Sequence, residues 1–422
     1  MKQSTLPVRG TKDYSPEEML VRDYVQTTIL NTYQSSGFQR ICTPILEDIN
    51  RLNNSEGGEN LNMIFKILKR GEKLQRSLNE FDEAALSDSG LRYDLTLPLA
   101  RFFASKQNEL PCPFKCIQID KVFRAERPQK GRLREFVQCD IDIVGDDSIN
   151  AEIELIYVTS LALQKLGFSG FDIRINDRKI LVTILQGIGF ADDEIASVCI
   201  AFDKLDKIGV GGVKQELLDK GFNSSKVDRF MDFVSEPELN SIDKLETYCY
   251  DKTILQNMKQ MVTTISELSK NQYSITYDLS LVRGMGYYTG TVFEIVSPLF
   301  SSSIAGGGRY DKMIGKFLKA EIPAVGFSIG FERIVSIAME SNMIDIPRSK
   351  KIILLYRDVD SFASVLQKAD YLKANDDCIV SLVKMNEKTR KQIEKLKSEE
   401  RILIYDYSKK SFVDRIASMK IE

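Results

Sequence analysis

The chain of 422 residues contains no histidine and no tryptophan. The first absence removes whole mechanisms. There can be no Ser-His-Asp triad, no Cys-His pair, no zinc site with an imidazole ligand and no imidazole acid–base catalyst. Cysteine is sparse: seven residues, odd in number and scattered, which fits reduced thiols better than a disulfide framework. Cys112 and Cys116 are the only close pair. No second pair completes a four-thiolate site, so no metal-binding side chains are expected. Long apolar runs are lacking too, and none approaches the ~20 residues of a membrane span. The stretch Met1–Arg9 is polar and carries a proline, unlike a secretory signal. No membrane association and a cytoplasmic location are expected.

What is present is ordinary for a folded protein: 43% hydrophobic and 28% charged residues. At this length two or three domains are expected. Net charge is −2, so the whole chain is not a polyanion binder. The stretch from Arg348 onward nevertheless holds 17 basic and 12 acidic residues. A basic C-terminal part on an acidic body suggests a local docking surface.

Ser15-Pro16-Glu17-Glu18 predicts a capping box and a helix that Gly37 ends. Phe38–Ile45 reads as an edge strand, because Pro44 lacks a ladder donor. Further strands are expected at Cys116–Phe123, Arg134–Val144, Phe171–Ile175, Thr276–Leu279, Thr291–Val296 and Ser302–Ala305. Few helices separate the later ones, which favours an antiparallel sheet. Residues 179–267 read as a helical insertion with glycine loops at Gly209–Gly212 and Gly221–Asn223. After a linker with Pro347 comes a small βαβαβ unit: strands at Ile352–Tyr356, Ile379–Val383 and Arg401–Tyr405, helices at Phe362–Lys373 and Glu387–Glu399.

Along Arg134–Val144 the side chains alternate faces. Phe136, Gln138, Asp140 and Asp142 share one face, which suits the floor of a pocket for a small polar ligand. Upstream, Phe123–Arg134 reads as a basic hairpin loop, and arginine forks suit phosphate oxygens. Arg283 lies in Leu281-Val282-Arg283-Gly284-Met285-Gly286-Tyr287-Tyr288, and Arg333 lies in Gly326-Phe327-Ser328-Ile329-Gly330-Phe331-Glu332-Arg333. Between them is Gly306-Gly307-Gly308-Arg309-Tyr310-Asp311; taken alone, such a cluster would more often be a turn. No G-x-x-x-x-G-K-[ST] occurs and no G-x-G-x-x-G follows a strand. Phosphate chemistry here must rest on arginines.

Together these segments resemble the histidyl-tRNA synthetase family of class II aminoacyl-tRNA synthetases. Phe123–Asp142 is similar to the family's motif 2, Gly326–Arg333 to motif 3, and Phe38–Glu47 to motif 1. Arg283–Glu294 resembles its histidine signature, with Ala305–Asp311 as the companion motif. Leu91–Pro98 resembles an amino-acid-binding stretch. The likeness runs from Arg9 to about Arg333. It departs at Ala125 and Val137, where the family often has histidine, and in a C-terminal unit that looks short of its later strands.

The resemblance implies an α+β fold. Its antiparallel-sheet catalytic core would span 1–178 and 268–343, with the helical insertion at 179–267 and a shortened anticodon-binding-like α/β domain at 349–422. It implies ATP-dependent ligation of L-histidine to tRNA(His) through a histidyl-adenylate, with Mg²⁺, in a homodimer. Arg124 would contact the α-phosphate, Glu126 would lie near the adenine and Phe136 would stack on it. Arg132 and Arg333 would hold the outer phosphates. Asp94, Thr96 and Gln138 would bind the α-amino group. Asp142 and Tyr288 would read the imidazole, with Tyr287 and Tyr310 lining the pocket. Arg283 would hold the carboxylate and neutralise charge. The two other readings are a non-catalytic, synthetase-like regulatory subunit of histidine biosynthesis and a synthetase for another class II amino acid.

Overall fold

A computed structural model describes residues 5–53, 60–80, 84–127, 132–236, 241–246, 248–249, 251–282, 288–318, 320–341, 343–347, 349–376, 378–386 and 402–412. Residues 1–344 and 345–422 are separate compact units. In chain order the first holds α1 (Pro16–Ser35), β1 (Gln39–Arg40), β2 (Leu46–Asp48), α2 (Ile49–Asn53), β3 (Lys66–Leu68), α3 (Glu72–Asn79), β4 (Ser87–Leu91) and α4 (Thr96–Lys106). Then come β5 (Phe114–Phe123), β6 (Glu135–Val144), α5 (Asn150–Lys165) and β7 (Asp172–Asp177). Six helices follow: α6 (Arg178–Ile188), α7 (Asp192–Phe202), α8 (Leu205–Asp219), α9 (Ser224–Val234), α10 (Ile242–Leu245) and α11 (Lys252–Ser269). The unit closes with β8 (Ser274–Tyr277), β9 (Thr291–Val296), β10 (Ala305–Arg309), α12 (Asp311–Leu318), β11 (Ala324–Ile329) and α13 (Phe331–Ser341).

The main sheet has eight strands in the order β1-β5-β6-β11-β10-β9-β7-β8. Its interior pairs are antiparallel; only the outermost pairs, β1/β5 and β7/β8, are parallel. Antiparallel neighbours need no crossover helix, whereas the parallel pair β7/β8 does. The helices α6–α11 are that connection. A second sheet of three strands, β2-β4-β3, is antiparallel. The helix α1 begins with the capping box expected at Ser15 and Glu18 and packs on α5 and α13. Cys139, Ile141 and Ile143, alternate residues of β6, are fully buried.

Three expectations for this first unit are corrected. Phe38–Ile45 is not one strand: β1 covers Gln39–Arg40, and β2 starts after Pro44 in a different sheet. The reason lies at Thr43, whose hydroxyl turns inward to Gln118 Oε1 at 3.0 Å and whose carbonyl accepts from buried Arg92 at 2.7 Å. The cluster Gly306-Gly307-Gly308 is strand, not turn, because its neighbours come too close for side chains. A Cβ on Gly307 would lie 2.1 Å from the Gly326 carbonyl oxygen. Finally, the break expected at Gly209–Gly212 is narrower than a four-residue loop: Gly209 alone, with φ of 66° and ψ of 173°, leaves the helical conformation between two helical stretches of α8.

The second unit contains β12 (Lys350–Tyr356), α14 (Phe362–Asp376), β13 (Cys378–Lys384), β14 (Ile402–Asp406) and β15 (Ser411–Phe412). Its sheet runs β13-β12-β14-β15, parallel except for the last pair. Thus a strand does lie beyond Tyr405, contrary to the sequence expectation. The helix expected at Glu387–Glu399 falls outside the described residues. Ile352, Leu354, Val365, Ala369, Leu372 and Tyr405 form one core of this unit. On the other face Ile353, Leu355, Met385 and Ile404 form a second.

Candidate active site

Strands β6, β10 and β11 and the first turn of α13 enclose a pocket of about 490 Å³. Its lining includes Thr96, Arg124, Glu126, Arg132, Phe136, Gln138, Asp142, Tyr288, Tyr310 and Arg333. Phe136 and Asp142 are six residues apart on β6, so the floor is about 20 Å long. It differs in chemistry from end to end.

The Phe136 end is cationic. The Arg124 guanidinium lies 5.1 Å from the centre of the Phe136 ring, and its Nε donates to the Tyr93 carbonyl at 3.0 Å. Arg132, half exposed, lies 3.5 Å from the Glu126 carboxylate. The Glu332 carboxylate accepts the Val137 N–H at 3.2 Å, which seats the start of α13 beside this end of β6. Buried Arg22 of α1 grips Glu332 with both guanidinium nitrogens, at 2.6 and 2.8 Å. The neighbouring Arg333 is held by the Ser303 carbonyl.

The Asp142 end is acidic. Asp142 is 3% exposed, and its Oδ1 accepts the Tyr310 hydroxyl at 2.6 Å. Burial pushes its carboxyl up to about 7; the Tyr310 bond opposes that rise and Asp94 adds to it. Asp94 lies just before α4, its Oδ1 accepting the Leu97 N–H of the first turn at 3.2 Å. Its carboxyl is raised to about 6, again chiefly by burial. Gln138 Nε2 reaches the Ser328 hydroxyl at 3.5 Å. Gly326 stands opposite Asp142 in the β6–β11 ladder. A Cβ there would fall 2.1 Å from Asp142 Oδ1, so glycine leaves the room the carboxylate occupies. Gly308 likewise leaves room for the Tyr288 ring, which a Cβ would meet at 3.0 Å.

Asp94 is not on the pocket lining, but it acts electrostatically on Asp140 and Asp142. Arg283 and Tyr287 lie outside the described residues. Sequence reasoning left Asp140, Ser328, Glu332 and Arg22 unassigned. Alternation did place Asp140 on the pocket face of β6, but gave it no role there. Arg22 is 310 residues from Glu332, so no local pattern could pair them.

A wider groove of about 840 Å³ beside β7, β8 and α11 includes Arg174 and Lys259. Those cations already pair with Asp278 and Asp243 in the same groove. The smaller pocket carries acceptors left without donors. Among the described residues, Asp94 Oδ2, Gln138 Oε1, Asp140 Oδ1 and Asp142 Oδ2 are buried with no hydrogen-bond partner. Buried orphan acceptors are costly and rare; three of these lie on residues of the pocket lining, and they define a place for a donor-rich ligand.

A sequence model of histidyl-tRNA synthetases matches residues 10–334. The histidine–tRNA ligase of Leifsonia xyli subsp. xyli is 41% identical over 375 residues, covering 84% of each chain. That of Cytophaga hutchinsonii is 36% identical over 390 residues, covering 89% of this chain and 86% of the other. The crystal structure of histidyl-tRNA synthetase from Nostoc sp. PCC 7120 superposes with a TM-score of 0.76 at 25% identity, over 98% of this chain and 97% of that one. An ATP phosphoribosyltransferase regulatory subunit/histidyl-tRNA synthetase from Bacillus halodurans shares the fold, with a TM-score of 0.77 at 20% identity over 96% and 99% of the two chains. With the matched region spanning every strand of the main sheet, the chain belongs to the histidyl-tRNA synthetase family.

Proposed function

We propose that the pocket activates L-histidine with ATP and that the enzyme passes the histidyl group to tRNA(His). The observation that carries this reading is the polarity of the pocket, with arginines at one end and orphan acceptors at the other. The histidine carboxylate attacks the α-phosphorus of ATP, pyrophosphate leaves, and histidyl-adenylate remains. A terminal tRNA hydroxyl then attacks the activated carbonyl, and AMP leaves. The first step brings two anions together, so fixed cations and positioning supply most of its catalysis. Arg124 neutralises the α-phosphate and Arg283 the attacking carboxylate. Arg132 and Arg333 hold the outer phosphates. Glu126 lies near the adenine, on which Phe136 stacks.

Mg²⁺ bound with ATP supplies further positive charge to the phosphoryl oxygens. Glu126, a partly exposed carboxylate at the arginine end, fits sharing such an ion. Magnesium is commonly held by phosphate oxygens with one or two carboxylates rather than by an all-protein cage.

At the far end, Asp94, Thr96 and Gln138 bind the α-amino group. Asp142 and Tyr288 read the imidazole nitrogens, while Tyr287 and Tyr310 shape the pocket. An apolar side chain of similar size would leave Asp142 unpaired, and such sites reject analogues strongly. No imidazole of the protein's own is needed. We further propose a homodimer formed through the motif 1 region and a cytoplasmic location. Among the described residues no helix is long and apolar enough to cross a membrane. The test is histidine-dependent ATP–pyrophosphate exchange followed by aminoacylation of tRNA(His). Exchange driven equally by other amino acids, or none with histidine, would sink the proposal.

A further inference from the structure

Asp140 lies on β6 between Gln138 and Asp142 and lines the same pocket. It is 6% exposed. In the sheet it stands opposite Gln118 on β5 and Ser328 on β11, neither of them charged. Burial pushes its carboxyl well above the usual carboxylate range; the like charges of Asp142 and Asp94 add to that rise, and Ser328 and Arg124 oppose it. Its Oδ1 has no partner. Nothing around it among the described residues explains a second, unfilled oxygen. Gln118 also donates to the Leu95 carbonyl at 3.0 Å, which ties the Asp94–Thr96 segment to the strand pair that carries Asp140.

An α-ammonium group offers three N–H donors, and an imidazole N–H offers a fourth. The orphan acceptors at this end also number four: Asp94 Oδ2, Gln138 Oε1, Asp140 Oδ1 and Asp142 Oδ2. Resting on the reading of this pocket as a histidine site, we infer that Asp140 is a further acceptor of the substrate α-ammonium, beside Asp94, Thr96 and Gln138. Asp142 keeps the ring. Asp140 thereby selects for a free, charged amino group rather than for the side chain.

The test compares the full-length enzyme with Asp140→Asn, which keeps the size of the side chain. A charge-assisted hydrogen bond is worth about 1.5–3 kcal/mol, so KM for histidine should rise roughly 10- to 100-fold while KM for ATP stays put. Competition by 3-(imidazol-4-yl)propionate, which is histidine without its amino group, should change less than about threefold, because that ligand never met Asp140. If the variant weakens both ligands alike, or neither, the assignment is wrong. Should the variant fail to fold, the wild-type enzyme still decides. Nα-methylhistidine has one donor fewer and should compete about tenfold more weakly than histidine; equal affinity overturns the count. Absence of exchange with histidine in the wild type would instead remove the underlying function.

Discussion

The ionisation of Asp142 bears on the stability of the fold as well as on the ligand. In a free chain its carboxyl would lose its proton near 3.8, whereas in the folded protein burial holds the proton on up to about 7. Between those values the unfolded state is the better acid, so this residue's contribution to stability falls as pH rises and levels off above 7. Asp142→Asn removes that decline. Without histidine, the Tm of the variant should therefore gain on the wild type between pH 4.5 and pH 8; a constant difference would show that Asp142 does not titrate in this window. Gly326→Ala attacks the same carboxylate by volume. The added carbon would fall 2.1 Å from Asp142 Oδ1, so KM for histidine should rise at least tenfold with a smaller effect on KM for ATP. An unchanged KM would mean that the strand shifts and the carboxylate stays. These acidic residues were legible in the sequence through the period of two on β6. Their orphan oxygens were not, because hydrogen-bond partners come from strands far apart in the chain.

At the scale of elements, local signals were read well wherever a single residue decides the backbone. The capping box at Ser15 and Glu18 and the strand Thr291–Val296 are as expected. Glycine misled in two opposite ways. In β10 it serves close packing within a ladder, a reason that only the neighbouring strands reveal. In α8, Gly209 holds a positive φ at a kink, while Gly211 has helical surroundings and open space around a Cβ. The two should therefore respond in opposite senses to alanine. Gly211→Ala should raise stability by about 0.5–1 kcal/mol through helix propensity. Gly209→Ala should lower it by at least about 1 kcal/mol, since alanine resists that conformation. Urea melts of both variants check the sign, and two shifts of the same sign would discard the account of the kink.

The two compact units have separate cores, so at the scale of the whole molecule activation and tRNA charging are separable. A chain ending at Ile344 should keep histidine-dependent pyrophosphate exchange within about threefold, as independent domains do, and lose most aminoacylation. Loss of exchange in a truncated protein that still shows cooperative melting would tie the C-terminal unit to the chemistry itself. The basic surplus after Arg348 was legible from composition, and so was most of the parallel sheet. The short β15 was not, because two residues carry no period.

One consequence follows from the placement of β6. It pairs with β5, made just before it, and with β11, which the ribosome completes only at Ile329. A nascent chain released up to Tyr277 could carry β5 through β8, yet β6 would still present a bare edge. Such an edge invites pairing with another chain. Its buried acids would also still lack Ser328 and Tyr310. Synthesis that stalls between β8 and β11 should therefore yield chains that aggregate and do not bind histidine, whereas a pause after Ser341 should be harmless.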